Sequence, residues 1–65
     1  MNTLKKLREL NNLKQEELAS VLNISLSNYC KKENGLIKVS LLEANKIANL
    51  FNMKIEDIFL KVRFR

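Results

Sequence analysis

Apolar residues in this chain recur at helical spacing, three or four positions apart, with charged and amide side chains between them. Leu4, Leu7 and Leu10 form one such stripe and Asn11 and Asn12 a polar stop, which predicts a first helix over residues 3–11 with a narrow buried face. Leu18, Ala19, Val21 and Leu22 predict a second helix beginning near Lys14 or Gln15. Glu16 and Glu17 fall in its first turn, where the helix dipole favours negative charge. Asn23 tolerates the left-handed conformation that a sharp exit needs, and Ile24 can plug the angle that follows. Ser25 is a good N-cap for a third helix running to about Glu33, stopped by Asn34-Gly35.

Ser40 and Glu43 have capping-box spacing just ahead of Leu41, Leu42, Ala44, Ile47, Ala48, Leu50 and Phe51, which predicts a fourth helix, mostly buried. Met53 to Phe59 reads as a short fifth helix, with Ile55, Ile58 and Phe59 at helical spacing. At the end the period changes. Leu60, Val62 and Phe64 alternate with Lys61, Arg63 and Arg65, the pattern of a half-buried strand. A lone strand is unstable, so it pairs with something, folds over the domain or stays a basic tail. The expected fold is all-α, a compact five-helix bundle forming one domain over residues 1–65, with a short C-terminal extended strand.

Composition supports this picture and narrows the chemistry. The chain has 65 residues, no proline and one glycine, too few turn residues for a strand-rich domain. A core this small supplies only a few kcal/mol of stability, to an order of magnitude. Cys30 is the single cysteine and there is no histidine, so neither an internal disulfide nor a zinc-finger ligand set is expected, and a reducing, cytoplasmic setting fits. Twelve Lys and Arg against seven Asp and Glu give a net charge of +5, which favours a polyanionic partner. No apolar run exceeds three residues, as in Ile58-Phe59-Leu60, so neither a membrane span nor a signal-peptide core is expected. Without histidine, a Gly-rich phosphate loop or an activated nucleophile, the expectation is no enzyme, no cofactor, no metal and no small-molecule substrate.

Two helices separated by about three residues, the second with polar and basic side chains on one face, describe a helix-turn-helix over residues 15–33. The residues that carry a wider resemblance are Leu13-Lys14-Gln15-Glu16-Glu17-Leu18-Ala19, then Asn23-Ile24-Ser25, then Tyr29-Cys30-Lys31-Lys32-Glu33-Asn34-Gly35, and the segment from Ser40-Leu41 to Phe59. Together they resemble the Cro/C1-type, or Xre, family of phage repressors and bacterial transcriptional regulators, over residues 4–59. The resemblance implies a lambda-repressor-like DNA-binding domain that acts on operator duplexes as a regulator, with repression by occupancy expected. It also implies a phage-borne or bacterial, nucleoid-associated protein that dimerises on a palindromic site.

Carried over by position, Gln15 matches a glutamine that anchors a DNA phosphate at a helix N-terminus, where free N–H groups attract anions. Leu26, Ser27, Asn28 and Lys31 match groove-facing positions: Asn28 suits adenine, Lys31 guanine and Leu26 a thymine methyl. Asn34, Lys32 and Lys38 match or adjoin backbone contacts, and Ser25 completes the candidate DNA-binding set. Arg8 and Glu33 match a structural salt bridge. Leu60, Val62 and Phe64 are the candidate dimerisation residues, because relatives commonly pair through this end of the domain.

The chain departs from the family where Lys14 replaces a usual Thr or Ser cap and Asn23 a usual Gly. Lys32 stands where relatives are commonly apolar or aromatic; either its stem lies along the core with the ammonium snorkelling toward phosphate, the preferred reading, or that contact is lost. Other residues keep two readings as well. Leu26 either meets DNA or packs on Ile24; Tyr29 is core or a phosphate donor, with core preferred; Cys30 is a small hydrophobe before it is a redox sensor. Two other functions compete, a protein-interaction module that keeps the fold and a basic binder of membrane surfaces.

Overall fold

The computed structural model describes residues 3–58, which form five helices and no strand. They are α1 (Thr3–Leu10), α2 (Gln15–Leu22), α3 (Leu26–Glu33), α4 (Leu41–Leu50) and α5 (Ile55–Ile58). The all-helical architecture expected from the sequence is the one adopted. The fifth helix begins two residues later than the 53–59 pattern suggests, and the strand expected at 60–65 lies outside the described residues. Among those residues no helix is long and apolar enough to cross a membrane.

The first four helices end in the same way. Asn12, Asn23, Gly35 and Asn52 all have positive φ, between 53° and 80°. In each case that residue's N–H donates three residues back and the next N–H five residues back, as in Ile24 to Ala19 at 3.0 Å and Met53 to Ala48 at 2.9 Å. These are the paired bonds of a Schellman motif, which satisfies terminal carbonyls and turns the chain sharply. Asparagine and glycine occupy the left-handed position because other residues pay a steric penalty there.

Each helix start is set differently. Ser25 and Ser40 accept from the backbone N–H of Asn28 and Glu43, both at 3.1 Å, and the Glu43 carboxylate reaches back to the Ser40 N–H at 2.9 Å. Lys14 offers no side-chain acceptor, so α2 has only half of that arrangement, a 2.9 Å bond from the Lys14 N–H to the Glu17 carboxylate.

The core joins Leu4, Leu18, Ala19, Leu22, Tyr29, Ala44, Ile47, Ala48 and Ile58, with Leu7, Leu13, Ile24, Val39, Phe51 and Ile55 around it. α2 lies at the centre, packed on both α3 and α4, while α5 closes against α4. Two sequence expectations need correction. Leu10 is 80% exposed because each three-residue step falls about 60° short of a full turn, so the stripe from Leu4 drifts outward and Arg8 takes the inward position instead. α4 is only half buried: Ala44, Ile47 and Ala48 face inward, whereas Leu41, Leu42 and Leu50 are exposed. A bundle this small covers one face of that helix, and the alanines let it approach closely.

Candidate nucleic-acid interface

The interface is built outward from a buried carboxylate. Glu33, at the end of α3, accepts four hydrogen bonds: Arg8 Nε at 2.9 Å and Tyr29 Oη at 2.6 Å on one oxygen, Arg8 Nη2 at 3.2 Å and Gln15 Nε2 at 3.0 Å on the other. Arg8 also donates from Nη1 to the Leu13 carbonyl at 2.8 Å, fastening the turn between α1 and α2. Every buried side-chain nitrogen and oxygen among the described residues has a partner. Burial pushes the Glu33 carboxyl up, but the bonds from Arg8, Tyr29 and Gln15 outweigh it and hold it below the ordinary carboxylate range. The Tyr29 hydroxyl moves the opposite way, well above its usual value, through burial and then through its bond to Glu33. The hydrogen bond to Glu33 likewise raises Arg8.

This network holds three helices in fixed relation, and it settles the orientation of Gln15. A carboxylate only accepts, so the amide must turn its nitrogen to Glu33; its oxygen then accepts from the Cys30 thiol at 3.4 Å. The second N–H of that amide stays uncommitted within the network. Gln15 lines a shallow surface depression of about 300 Å³ together with Arg8, Lys14, Glu16 and Leu26. In the first turn of α2 the Glu17 N–H donates to the Lys14 carbonyl at 3.0 Å, while the Gln15 and Glu16 N–H groups are left without a backbone acceptor, and the Glu16 and Glu17 carboxylates offset the positive end of the helix dipole.

α3 divides into two faces. Tyr29 and Glu33 are buried against the rest of the bundle, while Ser27, Asn28 and Lys31, spaced to share a face, are exposed. Leu26 is also exposed and lines the depression; Tyr29 is core, with no exposed surface. Ser25 uses an oxygen lone pair for its cap and keeps its hydroxyl proton as a donor. Asn34 and Lys38 are exposed just beyond the helix.

Lys32 is placed otherwise. Its side chain is only 12% exposed, and its ammonium donates inward to the Glu43 carboxylate at 2.9 Å and to the Lys38 carbonyl at 3.1 Å. The Glu43 carboxyl, pushed up by burial, is brought below its ordinary range by hydrogen bonds from Ser40 and Lys32. Leu60, Val62 and Phe64 fall outside the described residues.

Sequence reasoning missed the Tyr29 hydroxyl and the Gln15 amide as partners of Glu33. The first had a signal, the four-residue spacing that puts Tyr29 and Glu33 on one helix face. The second had none, because Gln15 and Glu33 stand 18 residues apart on different helices. Among the described residues no cluster of three or more His, Cys, Asp or Glu could hold a metal ion.

The sequence profile of the helix-turn-helix family matches residues 4–58. An uncharacterized HTH-type transcriptional regulator of Methanocaldococcus jannaschii is 48% identical over 59 residues, covering 91% of this chain and 89% of that protein. Another, of Archaeoglobus fulgidus, is 42% identical over 57 residues, covering 88% of this chain and 80% of that protein.

Proposed function

This chain belongs to the helix-turn-helix family, of the Cro/C1 type, and we propose that it is a sequence-specific repressor that places α3 in the major groove of an operator duplex. Its coarser description is a DNA-binding transcriptional regulator. The observation that carries the finer reading is the division of α3: one face locked through Tyr29 and Glu33, the other presenting Ser27, Asn28 and Lys31 to solvent. A rigidly held polar helix can read base edges because its side chains are fixed relative to the backbone anchors.

In this reading Gln15 anchors a phosphate with its outward N–H and the α2 N-terminus, with Ser25 beside it. Leu26, Ser27, Asn28 and Lys31 face the bases, and Asn34 and Lys38 meet the backbone farther along. Lys32 leaves the contact set, because its charge is committed to Glu43. Output is by occupancy, without a catalytic step, in the cytoplasm. Two copies, joined through residues 60–65, bind half-sites about 34 Å apart on a palindromic operator.

Selection from a random-sequence duplex library tests the function. Enrichment of a palindromic motif at about 100 mM salt is expected, and recovery of no preferred sequence would sink the claim of specific regulation. Deleting residues 60–65 tests the assembly; a truncated chain that still sediments as a dimer places the interface elsewhere.

A further inference from the structure

We propose that Lys32 is a positioning residue for DNA binding: its ammonium clamps the loop between α3 and α4 and so fixes the segment that carries Asn34 and Lys38 toward the duplex. The inference rests on the DNA-binding reading above.

The clamp has a definite construction. One oxygen of Glu43 accepts from both Lys32 Nζ and the Ser40 N–H, each at 2.9 Å, while the Ser40 hydroxyl accepts from the Glu43 N–H. The start of α4 is thereby tied to the last turn of α3. Lys32 Nζ also reaches the Lys38 carbonyl at 3.1 Å, which pins the loop in its second half. Its first half is held by the Leu36 and Ile37 N–H groups, which donate to the Lys31 carbonyl at 2.8 and 3.3 Å. Both partners of the ion pair are largely withdrawn from solvent, at 12% and 15% exposure, so salt screens them less than a surface pair. A methionine would fill the same space without desolvating a charge, so the ammonium contributes geometry more than net stability.

Lys32→Met, made alone and on a Lys38→Ala background, separates a clamp from a phosphate contact. If Lys32 itself contacted phosphate, its loss would weaken binding equally in both backgrounds and lower the salt slope by about one in each. If Lys32 is a clamp, Lys32→Met weakens binding by about three- to tenfold in the parent and has little effect once Lys38 is gone, so the two effects fall well short of additive.

Each variant is titrated with the duplex that the unaltered protein enriches from a random library, or with bulk duplex if none is enriched. Amide exchange at Leu36 and Ile37 is followed in parallel without DNA. The expected result is weaker binding of Lys32→Met in the parent but little change on the Lys38→Ala background, and at least about tenfold faster exchange of those two amides in Lys32→Met. Binding of Lys32→Met at or above the parent's, strict additivity with Lys38→Ala, or unchanged exchange each overturns the clamp. If the unaltered protein binds no duplex, the DNA-binding reading fails by itself, and the exchange result still decides whether the loop is clamped.

Discussion

Arg8 and Glu33 meet side-on across 25 residues of sequence, Nε to Oε2 at 2.9 Å and Nη2 to Oε1 at 3.2 Å, with both side chains nearly out of contact with solvent. The pair joins α1 to the end of α3, and it puts a charge where neither residue alone could be tolerated. Replacing Arg8 with Met strands the Glu33 charge and is expected to cost about 3–5 kcal/mol. That is comparable with the whole stability of so small a domain, so the variant should be largely unfolded at 25 °C. Arg8→Met combined with Glu33→Met should recover part of the loss, since no charge is left unpaired. Urea titrations followed by far-UV circular dichroism check both; a single variant as stable as the parent would mean that the pair is solvated in solution.

The pH dependence follows from the same groups. Glu33 and Glu43 titrate lower when folded, so each adds stability that is fully present above the unfolded value of about 4.3 and is lost as pH falls through the folded one. Tyr29 titrates higher when folded, so its contribution is complete below about 10 and is lost as pH rises from there through its folded value. Melting temperatures should therefore fall at both extremes. Glu43→Gln should show a shallower acid decline, and Tyr29→Phe a shallower alkaline one. Identical profiles for parent and variant at either extreme would remove that group from the account.

Local signals made most of the fold legible in the sequence. Asn12-Leu13, Asn23-Ile24, Gly35-Leu36 and Asn52-Met53 each put a residue suited to positive φ before an apolar one, and each became a Schellman turn. Ser25 and Ser40 cap the helices that they were expected to open. What stayed hidden depended on how the helices meet. Nothing in the apolar pattern says that the Lys32 ammonium turns to Glu43, or that Gln15 reaches Glu33, because both are contacts between helices whose register appears only once the bundle closes. The exposure of Leu41 and Leu42 has the same origin: periodicity counts apolar positions, and packing decides which of them find a neighbour.

Two backbone positions offer a test of the local rules. Lys14 caps α2 without a side-chain acceptor, so Lys14→Ser should stabilise by about 0.5–2 kcal/mol by supplying one. Asn23, at φ 57° and ψ 44°, should accept Gly with little change, whereas Ala there should cost about 1–2 kcal/mol. Thermal melts rank the three variants. A Lys14→Ser chain that melts below the parent would show that the lysine is needed at that helix start for some other reason.

Gln15 and Lys31 should separate anchoring from reading. The Gln15 amide is held nitrogen-inward by Glu33 and oxygen toward Cys30, so what it can offer a duplex is one neutral N–H donor, suited to any phosphate and to no particular base. Gln15→Ala should weaken binding to all sequences by a similar factor and leave the salt dependence nearly unchanged, because no charge is lost. Lys31 stands exposed on the face shared with Ser27 and Asn28, where an ammonium can reach the acceptor edge of guanine. Lys31→Ala should relax preference at one base position, costing about 1–3 kcal/mol there and less at duplexes already mismatched at that position. Binding measured across a set of single-base operator variants distinguishes the two. Uniform weakening by Lys31→Ala together with altered preference in Gln15→Ala would exchange the roles, and would place the N-terminus of α2, rather than the open face of α3, against the bases.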